Sequence, residues 1–339
     1  MNLVTGANGL LGMHLMLHLL KQGQSVRGLV RSNSNREIVK RVFQFYQAES
    51  LYNQIEWVNG DVLDVISLQA AMQGVEHVYH TAAVVSYHKS DRQAMYKVNV
   101  EGTANVVNSA MACGVKKLGH VSSIAALNRF KYNPVTEIGE WEDSDDNTHY
   151  GITKHLSEME VWRAGQEGLD IVILNPGFII GPGDFSRSST SVFSKLDEGF
   201  SYYPPGGTGF IGAKDAAEAL VKLMQSKISQ ERFIAVSESL SMKELFQGIS
   251  EAINRPIPMK EAQPWMLQVA RIAEWLKQIF TGKKALVTKE TVKNASLRFY
   301  YSSAKLESAV GMSFTPIDQC IQEAGVFYLG QKNRFHANS

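Results

Sequence analysis

Residues 150–154 read YGITK. A helix over this stretch puts Tyr150 and Lys154 on one face, a turn apart. A free phenol has a pKa of about 10 and is a poor acid–base group at neutral pH. An ammonium beside it favours the phenolate and lowers that pKa. Upstream, the run KKLGHVSS ends in Ser122 and Ser123. A hydroxyl at such a strand end can hold a carbonyl oxygen and stabilise the charge that develops on it. Together these residues point to proton exchange at a carbonyl or alcohol oxygen. The plain alternatives are a helix that carries Tyr and Lys at that spacing for no purpose, and a serine that caps a helix or closes a turn.

Residues 5–12 read TGANGLLG, with Gly6, Gly9 and Gly12 three apart. They join a short strand, NLVT, to a helical run, LLGMHLMLHLLKQG. Gly6 suits a chain reversal with positive φ. Gly9 lets backbone approach a pyrophosphate, and Gly12 allows close packing of helix on sheet. The helix N-terminus offers free N–H groups and a positive dipole end. A glycine turn without a ligand is the alternative. Arg31 ends the second strand, SVRGLV, where an acid would favour NAD and a base the 2′-phosphate of NADP. NADP(H) is the expected cofactor, with NAD(H) as the alternative and an exposed, unemployed Arg31 as the plain reading. Asp61 ends the third strand, where it can accept from an adenine amino group or simply close a turn.

Strand-like runs (2–5, 25–30, 55–58, 75–80, 116–123 and 170–175) alternate with helical stretches. That rhythm predicts an α/β fold, a Rossmann-type doubly wound parallel sheet. After GPGD (181–184) the pattern turns Gly/Pro-punctuated. We expect a dinucleotide-binding domain over 1–180, with contributions from about 210–240. A smaller C-terminal substrate-binding region then covers 181–339, over the carboxyl ends of the strands.

The net charge of +1 gives no pull toward nucleic acid. Two distant cysteines, Cys113 and Cys320, suggest neither a metal site nor a disulfide framework. No segment has the form of a leader or a spanning helix, so a cytoplasmic protein is expected. His14 and His18 lie four apart but lack a third ligand, and no metal is expected. Six acids in EIGEWEDSDD (137–146) read as a solvated loop. PWMLQVARIAEWLKQIF (264–280) is amphipathic, with Trp265, Val269, Ile272, Leu276 and Ile279 on one stripe. A lid over the cleft, a dimer contact and a membrane-surface element all fit that pattern.

TGANGLLG, Arg31, Asp61, HTAAV (80–84), KVNVEGT (97–103), VSS, YGITK and NPGFIIGPGD (175–184) stand in one order. In that order and spacing the chain resembles the extended short-chain dehydrogenase/reductases, of the epimerase/dehydratase superfamily. The resemblance implies that Tyr150 is the general acid or base and Ser123 holds the substrate oxygen. It implies that Lys154 binds the nicotinamide ribose and lowers the Tyr150 pKa, and that Asn99 fixes the fourth strand and assists a proton relay. For the cofactor it implies Gly6, Asn8, Gly9, Leu10, Leu11, Gly12, Arg31, Asp61, Val62, Ala82, Ala83, Ser122, Tyr150 and Lys154. Pro176, Gly177, Ile179 and Ile180 would support the nicotinamide. LVRSNSNR, HTAAV, NPGFI and GGTGFIGAKDAAEAL (206–220) look like the dihydroflavonol 4-reductase and 3β-hydroxysteroid dehydrogenase branch, with Lys214 before Asp215 as a departure. The expectation is an NADP(H)-dependent oxidoreductase acting on the carbonyl or alcohol of a bulky small molecule, with a homodimer as the expected assembly. A nucleotide-sugar epimerase/dehydratase and a non-catalytic NADP(H) sensor are the alternatives.

Overall fold

The strands, in chain order, are β1 (Asn2–Thr5), β2 (Val26–Val30), β3 (Glu56–Asn59), β4 (His77–His80), β5 (Lys117–Val121), β6 (Asp170–Pro176), β7 (Phe178–Ile180), β8 (Tyr202–Tyr203), β9 (Gly207–Gly212), β10 (Glu231–Ala235), β11 (Glu238–Ser241) and β12 (Lys260–Glu261). The helices are α1 (Leu10–Lys21), α2 (Glu37–Phe45), α3 (Glu49–Tyr52), α4 (Val65–Met72), α5 (Arg92–Tyr96), α6 (Gly102–Ala112), α7 (His149–Gln166), α8 (Ser191–Asp197), α9 (Ala213–Gln225), α10 (Met242–Ala252), α11 (Ala304–Val310) and α12 (Ile317–Ala337). The structure is a computed structural model. It describes residues 1–186, 189–199, 202–263 and 296–337, with Trp265, Met266, Gln268, Val269, Ile272, Glu290 and Val292, and side chains as far as Lys332.

Seven strands form one parallel sheet in the order β10–β6–β5–β4–β1–β2–β3. The order reverses between β1 and β4. This is the switch point, outside whose carboxyl strand ends open α/β sheets bind ligands. The expected strands all form, and β10, from beyond residue 210, extends the sheet beside β6. Helix α1 is apolar on almost every side because it is covered on almost every side. Leu11, Met13, Leu15, Met16 and Leu19 are buried between the sheet and α9. A continuous apolar face of this kind marks an enclosed helix rather than a surface one.

The second half adds a three-stranded sheet, β11–β9–β7. β7 follows β6 after one residue, so this sheet grows from the carboxyl end of the central one. Gly177, between β6 and β7, has no room for a side chain. A Cβ there would lie 2.4 Å from the Gly209 carbonyl oxygen on β9.

Candidate active site

Three segments meet at the carboxyl end of β5. Ser123 follows the strand and caps a short 3-10 turn, accepting the Ala125 N–H at 3.1 Å. Helix α7 begins with Thr148, whose hydroxyl accepts the Gly151 N–H at 3.0 Å. Its first turn lies against the Ser123 turn. A Cβ on Gly151 would sit 2.5 Å from the Ala125 carbonyl oxygen. Gly151 therefore lets Tyr150 reach Ser123, and their hydroxyls are neighbours. Sequence reading passed over this glycine, although it lies inside YGITK.

Burial pushes the Tyr150 pKa up, the nearby Tyr87 adds to the rise, and the hydrogen bond from Ser123 opposes it. Tyr87 meets Tyr150 edge to face, with 6.5 Å between ring centroids. The hydroxyl of its neighbour Ser86 donates to Asp91 at 2.8 Å.

Lys154 is buried one turn below Tyr150. Its ammonium donates to the Val121 carbonyl oxygen at 2.8 Å and lies 3.4 Å from His120 Nε2. Burial lowers its pKa to about 8, against an opposing pull from Glu158. The expectation that Lys154 lowers the Tyr150 pKa is not met. The ammonium is turned to the end of β5, and burial dominates the phenol.

Asn99 lies in a π-helical turn, Lys97–Glu101, fully buried. Its side chain bonds both the N–H and the carbonyl of Val84, at 2.8 and 2.9 Å, and donates to Thr153 Oγ1 at 3.0 Å. It thereby ties the loop after β4 to α7. Such single π turns are frequent at functional sites.

The β1–α1 turn is shaped by its glycines. Gly6 has φ +66° and packs on the Ala82 backbone, where a Cβ would come within 2.8 Å. A Cβ on Gly12 would meet the Gly6 carbonyl oxygen at 2.3 Å. Gly9 caps α1 without a side-chain acceptor, and the first turn holds no acid. The N–H groups there are open to an anion at the switch point, which fits the pyrophosphate of a dinucleotide. By contrast, α4 is closed by Asp64, which accepts from Ile66 and Ser67.

The other expected cofactor residues divide. Asn8, Leu10 and Ala82 are part-buried around the turn, Ala83 is exposed, and Leu11 is in the core. Arg31 is exposed immediately after β2. Arg36 instead donates to Asn59 at 3.0 Å and lies over Trp57. Asp61 closes a turn by accepting the Leu63 N–H at 3.0 Å. Val62 turns into the core beneath Gly102, and its carbonyl is held by Asn105 at 3.0 Å. Ser122 is buried beneath α7 beside Glu158, facing away from the cleft. Strand alternation sends its side chain to the opposite face from that of Ser123. Pro176 and Ile180 are buried, and Ile179 is part-buried on β7.

Further polar groups had no local signature. Arg129, six residues after Ser123, lies 4.9 Å from the Phe299 ring. Tyr301 is nearby. Glu158, on the buried face of α7, accepts from Asn175 at 2.6 Å and pairs with Arg232 at 3.4 Å. Its i,i+4 spacing from Lys154 was the one available signal.

Elsewhere, His14 is buried, bonded to the Leu10 carbonyl, and lowered by burial to a pKa of about 4. Among the described residues no group of three His, Cys, Asp or Glu could hold a metal, and no helix is long and apolar enough to cross a membrane. Glu137 departs from the solvated-loop reading, because it accepts the Ile234 N–H on β10 at 2.8 Å. Of the 264–280 stripe, Trp265, Val269 and Ile272 are exposed, and Leu276 and Ile279 lie outside the described residues.

Residues 2–235 match the model of the NAD dependent epimerase/dehydratase family. Sterol demethylase protein B of Methylococcus capsulatus is 31% identical over 83% of this chain and 84% of its own length. A proposed dihydroflavonol 4-reductase from Synechocystis sp. is 28% identical over 95% of this chain and 92% of its own. The crystal structure of gox2253 superposes with a TM-score of 0.80 at 27% identity, covering 97% of this chain and 98% of that one. The chain therefore belongs to the NAD dependent epimerase/dehydratase family, among the extended short-chain dehydrogenase/reductases, and is an NAD(P)-dependent oxidoreductase.

Proposed function

We propose that the protein is an NADP(H)-dependent reductase that converts a ketone to an alcohol on a bulky small molecule. The observation that carries this reading is the pair of hydroxyls, Tyr150 beside Ser123, at the carboxyl end of β5. Burial keeps Tyr150 protonated at neutral pH, which makes it a proton donor. Donation to a developing alkoxide is the step that carbonyl reduction requires. Ser123 accepts from Ala125, which leaves its own hydrogen free to turn to the substrate oxygen beside Tyr150.

Lys154 would hold the nicotinamide ribose, the open end of α1 the pyrophosphate, and Arg31 a 2′-phosphate. Bound there, the nicotinamide supplies the hydride. The rings of Tyr87, Phe130 and Phe299 suit a bulky, partly apolar substrate body. We assign the dinucleotide side mainly to residues 1–180 and the larger part of the substrate side to 181–339. The test is loss of NADPH absorbance across a panel of bulky ketones, repeated with NADH. Consumption that depends on the ketone and is faster with NADPH supports the reading. A protein that oxidises no cofactor with any of them overturns it.

A further inference from the structure

Two histidines lie side by side under the catalytic floor, and their hydrogen bonds differ in kind. His80 on β4 and His120 on β5 are both fully buried, with ring centroids 5.2 Å apart. His80 is fully specified. Its Nε2 is 3.0 Å from Thr103 Oγ1, and that hydroxyl already donates to the Asn99 carbonyl oxygen at 2.6 Å. Nε2 must therefore carry the hydrogen. Its Nδ1 accepts from Thr5 Oγ1 at 2.8 Å. His80 is a neutral ring with one allowed tautomer.

His120 is not specified in that way. Its Nδ1 is buried with no partner among the described residues. Its Nε2 has two neighbours that make opposite demands. Ser157 Oγ, at 3.2 Å, already donates to the Lys154 carbonyl oxygen, so it can only accept from His120. Lys154 Nζ, at 3.4 Å, can only donate while it is an ammonium. One nitrogen cannot serve both. The charged neighbour wins, because a hydrogen bond from an ion is roughly twice as strong as a neutral one.

We propose that His120 is a positioning residue for Lys154. It is held as the Nδ1–H tautomer so that its Nε2 lone pair accepts from the ammonium, the second anchor of Lys154 after the Val121 carbonyl. The groups that face this pair are Glu158 on α7 itself, which favours the ammonium, and His80 on β4, which is neutral. Burial of both rings lowers their pKa values, that of His80 to about 3, so neither competes with Lys154 as a cation at neutral pH. The assignment of a role in turnover rests on the reductase reading. The tautomer and the anchoring of the ammonium do not.

The first test is nitrogen NMR of histidine-labelled, full-length protein at pH 7. His120 should show Nδ1–H and His80 should show Nε2–H, the two opposite tautomers in one molecule. His120 found as Nε2–H overturns the proposal. The second test follows the Lys154 side chain by NMR as pH rises, in wild type, His120→Leu and His120→Gln. Leu removes the acceptor, and the Lys154 titration should move to lower pH by at least half a unit. Gln places an amide oxygen near the position of Nε2 and should restore it. Identical titrations in the Leu and Gln variants overturn the proposal. Neither readout needs a substrate, so a failure of the reductase reading shows up separately as an absence of ketone-dependent turnover. If His120→Leu does not fold, the wild-type tautomer and the Gln titration decide.

Discussion

The two walls of the cleft are built from different material. The wall at the switch point is backbone. Gly6 at φ +66°, the uncapped start of α1 and the contact of Gly12 with the Gly6 carbonyl make it, and almost no side chain takes part. The wall that we propose for the substrate is made of side chains. Tyr87, Arg129, Phe299 and Tyr301 come from loops far apart in the chain. A backbone wall constrains residue type at each position, since only glycine fits there. A side-chain wall constrains only a sum of shapes, which many sequences can meet. On the proposed function, the first would hold a cofactor that never changes and the second a substrate that can differ from one relative to the next.

Tyr150 is where the walls meet, and its removal gives the largest effect. Tyr150→Phe should lower kcat by about a thousandfold or more, the scale of losing a positioned acid together with its oxygen contact. NADPH affinity should change by less than threefold, because the backbone wall is untouched. Calorimetric titration with NADPH and steady-state kinetics on one ketone check both halves. A large loss of NADPH affinity would show that the two walls do not work separately.

Gly12→Ala attacks the backbone wall. A Cβ 2.3 Å from a main-chain oxygen cannot be relieved by rotating a side chain. Overpacking of this kind costs about 1–3 kcal/mol. Thermal unfolding should drop by several degrees, and NADPH affinity should fall by roughly tenfold or more as α1 is pushed from the turn. Unchanged values for both would mean that the turn is looser than its contacts imply.

The same contrast explains what could be read from the sequence. The glycine turn, the alternation of strands and helices and the Tyr150–Lys154 face are local patterns, so periodicity and spacing disclosed them. Ser122 and Ser123 are adjacent in the chain, and only strand geometry shows that one faces the cleft and the other Glu158. Val62 is buried because of Gly102, forty residues away. Arg129 and Tyr301 meet across more than 170 residues, and no short-range pattern records such a contact. The rise in the Tyr150 pKa was missed for a related reason. Spacing shows that Lys154 is near, but not that its ammonium is held by Val121.

Lys154 makes the comparison sensitive to pH. With its pKa lowered to about 8, the ammonium is present below that pH and lost above it. Turnover that depends on the charge should therefore fall as pH rises through about 8, by up to tenfold per unit. Tyr150, raised by burial, should give no break below that point. The stability effect runs the other way. The unfolded chain keeps the lysine proton up to about 10.4, so this group makes the fold more stable as pH rises from 8 towards that value. A pH profile of kcat/KM beside urea midpoints across the same range checks both signs. Arg31→Ser, at an exposed site on the backbone side, should reduce the preference for NADPH over NADH by roughly tenfold, as expected for one solvent-screened phosphate contact.

Tyr87→Phe gives the smallest effect and the finest division between the walls. The ring, which packs edge to face on Tyr150, is kept, and only the hydroxyl goes. If Tyr87 belongs to the substrate wall, kcat should change by less than about threefold, with any loss appearing in KM. The presence of Tyr87 helps to raise the Tyr150 pKa, so its hydroxyl's removal should lower that pKa slightly and leave Tyr150 protonated at neutral pH. A loss of a hundredfold in kcat at constant KM would move Tyr87 out of the wall. Its hydroxyl would then belong with those of Tyr150 and Ser123, and the reaction would have three oxygens to divide one proton among rather than two.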